Sequence, residues 1–302
     1  MPSTDEYTFA LCLSHDVDRV YKTYQYISEA ISEPAPRKLP RMVSGKNPWW
    51  QFERIMSLER DLGVRSSFNI LDEQPITSRP KRELITKKAW RLFAGRYDVT
   101  DPQFRSILEV LQDGGWEIGL QGSYHSSDNP ERFEVEKENI ERSVNVELLG
   151  NRQHYLRLNR PDTWRSLRDI GIRYDTSLAD KYETQPQFGY ELIRPFDDEF
   201  VVFPWTLMDV TAMESSTDFS TVLANCERLL ENFQDKRSVL VLDWHQRVFY
   251  RPGFPHWAEL YEELIQRAQE MGAWVGPPGE FYEAVPHPDG TVADALDRLD
   301  DP

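Results

Sequence analysis

The run TFALCLSHDVD, residues 8–18, decides the fold. Thr8 to Leu13 is an unbroken apolar segment with the length of a buried strand. It turns polar at once, at Ser14-His15-Asp16-Val17-Asp18. A buried strand that ends in histidine and carboxylates is what a parallel α/β sheet with a site at its C-terminal edge would show. The run VLVLDWH, residues 239–245, repeats the pattern, with a very apolar strand over Val239 to Asp243 and then Trp244 and His245.

Outward from these runs, short apolar segments alternate with helical periodicity. Phe52, Ile55, Met56, Leu58 and Leu62 line one face of a helix over Asn47 to Leu62, which Gly63 stops before a strand over Val64 to Leu71. Further helices are expected over 103–111, 130–145, 162–170, 219–233 and 257–271. The remaining strands are expected over 116–120, 153–158, 172–177, 200–203 and 273–275. Seven or eight βα units in about 280 residues make a closed or nearly closed barrel the most economical arrangement, with a doubly wound open sheet as its rival. The chain reads as one barrel domain over 1–285. The Pro-containing stretch 21–46 reads as an insertion at the barrel mouth, and the acidic 286–302 as a loose tail.

Composition narrows the partners. The 302 residues carry 35 Lys plus Arg against 51 Asp plus Glu, a formal charge of −16. That balance disfavours nucleic acid and anionic membrane surfaces, which need clustered positive charge. Only 9 of the 35 basic residues are Lys. Few Lys and a dense carboxylate surface fit a protein adapted to high salt, where screening is strong, with an ordinary acidic cytoplasmic protein as the alternative. Cys12 and Cys226 are far apart and match no metal spacing. No apolar stretch approaches the ~18 residues of a membrane span, and Met1 to Tyr7 has no signal-peptide pattern, so a cytoplasmic location is expected.

Four of the six histidines fall at or near predicted strand ends. Asp16 and Asp18 follow the first strand, Gln121 to His125 the third, and His245 the seventh, while Arg152, His154 and Arg157 lie on or near the fourth. Two carboxylates two residues apart repel unless a cation or a positive neighbour sits between them. A helix-capping turn explains Asp16 and Asp18 equally well, and a satisfied core histidine explains His245 equally well. As a glycosidase pair, Asp16 and Asp18 would sit closer than the ~5 Å that a retaining pair needs.

Taken in order, five segments resemble the polysaccharide deacetylase (NodB-homology) superfamily, in its H-D-V-D branch. They are His15 to Asp18, Gly115 to Ser126 (GWEIGLQGSYHS), Gly150 to Arg157 (GNRQHYLR), Phe203 to Asp209 (FPWTLMD) and Leu242 to His245 (LDWH); Gly95 to Asp98 (GRYD) adds to them. The resemblance spans Thr8 to Glu283 and implies a distorted (β/α)7-8 barrel. It implies a hydrolase that removes N- or O-acetyl groups from a sugar with a divalent metal, often zinc. On that resemblance Asp16 is the catalytic base, Asp18 the metal carboxylate and His125 a metal histidine. Arg152 orients the base, His245 is the general acid, and Pro204, Leu207 and Asp209 line the acyl pocket.

The chain departs from the family at Gln121, where the pattern His-x-x-x-His has its first histidine. A glutamine carbonyl is a weak, neutral ligand. Asp18 and His125 then hold the metal with Gln121 or His15 as a third group, and two strong ligands predict weak binding. Three readings stay open: an active deacetylase with an altered metal, a metal-free acid–base enzyme using Asp16 and His245, and a glycan-binding barrel without catalysis. His154 and Arg157 are expected at the substrate or behind the site. Trp49, Trp50, Tyr97 and Trp205 fall at loop edges, where they would stack on sugar faces or pack as core.

Overall fold

Among the described residues nine strands follow one another and all pair in parallel. They are β1 (Ala10–Val17), β2 (Ser67–Leu71), β3 (Glu117–Gly122), β4 (Gly150–Gln153), β5 (Tyr174–Asp175), β6 (Val201–Val202), β7 (Thr206–Met208), β8 (Val239–Asp243) and β9 (Trp274–Gly276). The computed structural model describes residues 6–22, 47–75, 96–179 and 186–300, together with 81, 82, 84–86, 89, 90 and 92. Of the expected insertion over 21–46, all but residues 21 and 22 lie outside the described residues.

The sheet order is β6-β5-β4-β3-β2-β1-β8-β7, and β9 pairs with the first half of β1. Helices follow β1, β2, β3, β4, β7 and β8 on the outside of the sheet: α1 (Phe52–Asp61), α2 (Pro102–Asp113), α3 (Pro130–Val144), α4 (Asp162–Asp169), α5 (Asp209–Met213) with α6 (Phe219–Asp235), and α7 (Trp257–Glu270). The sheet curls into a parallel half-barrel surrounded by helices, the distorted barrel that the sequence implies.

Alternation along each strand separates two cores. In β1, Leu11, Leu13 and Val17 face the helices, while Ala10 and Cys12 face the barrel interior. Capping residues set where the helices begin. Asp101 accepts from the backbone N–H of Gln103 (2.9 Å) and Phe104 (3.1 Å) ahead of Pro102. Asp218 does the same for Thr221 at 2.9 Å.

The floor of the barrel is plugged. Trp274 and Phe281 meet Val201, Val239 and Val241 there, and two C-terminal helices, α8 (Pro278–Ala284) and α9 (Val292–Asp300), lie beneath them. Helix α9 corrects the expected loose tail. Val292, Ala295 and Leu296 fall on one helical face and are fully buried, and Asp300 accepts the backbone N–H of Tyr7. The acidic composition of that segment describes only its outer face. Two further corrections concern the mouth. β1 runs on to Val17, past the expected end at Leu13. β4 is Gly150–Gln153, and His154–Leu156 form a 3₁₀ turn where a strand was expected.

Candidate active site at the barrel mouth

Register carries the polar residues to one level. Asp16 pairs across the sheet with Asn69, Asn69 with Gly119, Gln121 with Arg152, and Ser14 with Asp243. Partners in a parallel register point to the same face, and here that face is the interior. Asn69 donates to Asp16 Oδ1 at 3.0 Å. A Cβ at position 119 would stand 2.4 Å from Asn69 Oδ1, so a glycine there leaves the asparagine its place. Gln121 Nε2 donates both to Asp16 Oδ2 (3.2 Å) and to Asp18 Oδ1 (2.8 Å).

Arg152 is wholly buried. Its Nε donates to Thr176 Oγ1 (2.9 Å), its Nη2 to Ser14 Oγ (3.1 Å), and its Nη1 lies 3.4 Å from Asp243 Oδ2. Asp243 Oδ1 in turn accepts the backbone N–H of Asp16 at 3.2 Å. Asp243 therefore links the arginine to Asp16.

His245 is gripped from behind. Its Nδ1 lies 2.9 and 3.1 Å from the two oxygens of Asp209, and Asp209 Oδ2 also accepts the backbone N–H of His245 at 2.9 Å. Its Nε2 faces Asp18 Oδ2 at 3.4 Å. The other neighbours of Asp18 are Arg247 Nη1, 2.8 Å from Oδ2, and His154 Nε2, 3.5 Å from Oδ1. Carboxylate oxygens of Asp16 and Asp243 and a ring nitrogen of His245 lie within 4.8 Å of one another.

Electrostatics separate these groups. Burial, with Asp243 nearby, pushes Asp16 up to about 7 against the pull of Arg152 and His245. Burial raises Asp243 as well. For Asp18 burial acts upward, but His245, Arg247 and His154 outweigh it and hold the carboxyl well below its ordinary value. For His245 burial acts downward, and Asp209, Asp18 and Asp243 overcome it, so the imidazolium persists well above its usual range. Burial brings His154 down to about 4, so that ring is neutral. A carboxyl poised near neutrality beside a retained imidazolium is a base and an acid side by side.

The structure brings together Asp16, Asp18, Gln121, Arg152, His154, Asp209 and His245. It keeps six other expected residues apart from them. His125 stands at the start of the 3₁₀ turn Ser126–Asp128 with its ring edge-on to Tyr124 at 5.0 Å, and it is not among the partners of Asp18. Arg157 packs its guanidinium over Tyr124 at 4.7 Å and pairs with Asp128. Tyr97 is buried, its hydroxyl donating to the carbonyl of Val17 (2.7 Å) and accepting from the N–H of Leu71 (2.8 Å). Trp205 is 1% exposed, and Trp49 is also buried. Neither these tryptophans nor Tyr97 offers a face to a sugar. His15 points to the opposite side of β1, its Nε2 2.7 Å from the buried Glu59.

Asn69, Asp243 and Arg247 are the members that sequence reading passed over. Asp243 stood in a quoted motif, but Asn69 and Arg247 carried no local signal.

The donor set does not fit the expected cation. At Asp18, Gln121 presents N–H and not a lone pair, Arg247 already neutralises the carboxylate, and His125 is elsewhere. Asp16, Asp243 and His245 form a possible Asp/Asp/His grouping, yet each is engaged by protein groups: Asn69 and Gln121, Arg152, and Asp209 respectively.

No family model matches the chain, and no curated protein matches it by sequence. Solved structures share its fold at low identity. A protein assigned as a polysaccharide deacetylase from Mycobacterium smegmatis aligns over 94% of this chain and 92% of its own, with a TM-score of 0.60 and 18% identity. The allantoinase Puue aligns over 93% and 91%, with a TM-score of 0.57 and 14% identity. A protein assigned as a polysaccharide deacetylase from Pseudomonas aeruginosa PAO1 aligns over 92% and 90%, with 0.57 and 13%. At such identity the likeness is one of fold.

Proposed function

We propose that the chain is a polysaccharide deacetylase-like hydrolase that removes an N- or O-acetyl group from a sugar by acid–base catalysis at the barrel mouth. The observation that carries this reading is the approach of Asp16 to His245 within 4.8 Å, one poised near neutrality and the other held protonated. Asp16 takes a proton from a water as its oxygen bonds to the acetyl carbon. His245 gives its proton to the departing amine or alkoxide as the bond to that carbon breaks, leaving acetate and the free sugar. Each such transfer is worth roughly 10²–10⁴-fold. Asp209 keeps the His245 ring oriented and charged, and Arg152 steadies Asp243 behind the base.

Within this reading the sugar is neutral. The strongly acidic surface repels polyanions wherever salt does not screen it. Tyr155, next to His154 and 49% exposed, supplies a face for stacking that the buried tryptophans do not. The Arg-rich, acidic composition supports a salt-adapted protein, and the two free, buried cysteines suit a reducing compartment such as the cytoplasm. No helix among the described residues is long and apolar enough to cross a membrane.

The second reading, a glycan-binding barrel without catalysis, is favoured by Gln121, whose amide ties Asp16 to Asp18. Acetate release from N-acetylated chito-oligosaccharides and O-acetylated xylo-oligosaccharides separates the two. Hydrolysis predicts acetate from one of them, lost in Asp16→Asn. Sugar binding that survives this substitution, with no acetate from either substrate, would establish the binding reading.

A further inference from the structure

We infer that Arg247 and Gln121 are a built-in replacement for a divalent cation, so that the barrel mouth excludes metal. This rests on the proposed acid–base reading and concerns what balances the charge of Asp18.

The guanidinium is aimed, not loosely exposed. Arg247 lies on the 3₁₀ turn Gln246–Phe249, whose neighbours are pinned on both sides. The N–H of Val248 donates to the carbonyl of His245 at 3.0 Å, and Val248 and Phe249 are buried. Gln246 Nε2 donates to the carbonyls of Arg19 (2.7 Å) and Trp49 (3.2 Å). The turn sets Nη1 at 2.8 Å from Asp18 Oδ2, with the side chain 19% exposed. A short charge-assisted hydrogen bond from a permanently charged group supplies the countercharge a cation would bring.

Gln121 completes the replacement on the other carboxylate oxygen. Its Nε2 reaches both Asp16 and Asp18, while its Oε1 is buried with no hydrogen-bond partner. Leaving a buried carbonyl unpaired is costly, so the amide is oriented by the two carboxylates and not by its own oxygen. A flipped amide would set oxygen against oxygen. A metal at Asp18 would meet N–H where it needs a lone pair, and a guanidinium where it needs room.

Yet much of a ligand set is in place. His154 Nε2 stands 3.5 Å from Asp18 Oδ1, and the side chain at position 121 reaches the same oxygen. Replacing Gln121 with a ligand and removing the guanidinium should therefore convert the mouth into an Asp/His/His site.

The test is zinc binding, measured by competition with a chromophoric chelator, on the folded full-length protein and its variants. The wild type should bind zinc no better than millimolar. Gln121→His/Arg247→Ala should bind one zinc at least ~10²-fold tighter, and adding Asp18→Asn should abolish the gain. Gln121→His alone, with the guanidinium retained, should gain less than ~10-fold. Far-UV circular dichroism confirms that each variant is folded; if the double variant is not, Gln121→His/Arg247→Gln replaces it with the same expectation. Micromolar zinc binding by the wild type would overturn the proposal, as would a folded double variant with no gain. Neither result depends on acetate release, so an absent hydrolase activity would count against the functional reading alone.

Discussion

β1 carries two histidine–carboxylate arrangements back to back, and their contrast separates architecture from chemistry. On the outer face His15 is sealed. Its Nε2 meets Glu59 at 2.7 Å and its Nδ1 lies 2.6 Å from the carbonyl of Trp244. Glu59 also accepts from Ser66 (2.9 Å), Trp116 (2.6 Å) and Tyr261 (2.8 Å). The rings of Phe68, Phe249 and Tyr261 surround the imidazole. Every polar atom there is matched, so the pair fixes β1 against α1 and α7. On the inner side, His245 rests on Asp209 through Nδ1 but turns Nε2 toward Asp18 Oδ2, on the side of Asp16. The same residue types, both buried, differ in what the second ring nitrogen faces. Strand parity decides which neighbour joins which pair, His15 outward and Asp16 inward.

The largest effects should fall on opposite observables. His245→Ala should lower kcat/KM for acetate release by roughly 10²–10⁴-fold while thermal stability changes little. Glu59→Ala should leave the rate per folded molecule near that of the wild type, and lower unfolding stability in urea by about 3–5 kcal/mol, because it strands a buried partner. If both substitutions cost activity equally, the contrast fails.

A finer test uses pH. The folded-state value of Asp16, about 7, lies above its unfolded value, so folding favours the protonated form. The stabilisation from that group is full below the ordinary carboxyl range and is lost as pH rises toward 7. Asp16→Asn removes the titration. Its stability relative to wild type should thus increase from acid to neutral pH, by on the order of a few kcal/mol, with a plateau above pH 7. Paired melts of wild type and Asp16→Asn across the pH range measure this directly.

The smallest expected effect is on the outside of the molecule. Raising salt should stabilise the wild type by screening its formal charge of −16, and should leave the ratio of activities between wild type and Asp209→Asn unchanged. Denaturation midpoints at low and high salt, read beside the two rates, check it.

Much of this was legible in the chain. β8 stands where the apolar run Val239 to Asp243 places it, and the first turns of α3, α4, α6 and α7 begin where Pro130, Asp162, Phe219 and Trp257 open their periodic patterns. Polar side chains hid the rest. β1 runs through His15 and Asp16 because both have buried partners, and a strand end made of such residues reads as a loop. Helix α9 was masked by its aspartates, although Val292, Ala295 and Leu296 keep helical spacing. At the mouth, Asp16, Arg152 and His245 came from motifs in order. Asn69, Glu59 and Arg247 did not, since their partners lie 53, 44 and 229 residues away and only register unites them. Tyr97 and Trp205 sat at loop edges in sequence, but packing took them inside.

The most direct test of the central claim is the pH dependence of kcat/KM for acetate release by chelator-treated enzyme, beside Asp16→Asn and His245→Ala. The account predicts a bell whose acid limb has its midpoint near pH 7, with its alkaline limb displaced upward by the retained charge on His245, and background rates for both variants. A rate that vanishes on chelation and returns only with zinc, or that survives in Asp16→Asn, would contradict it.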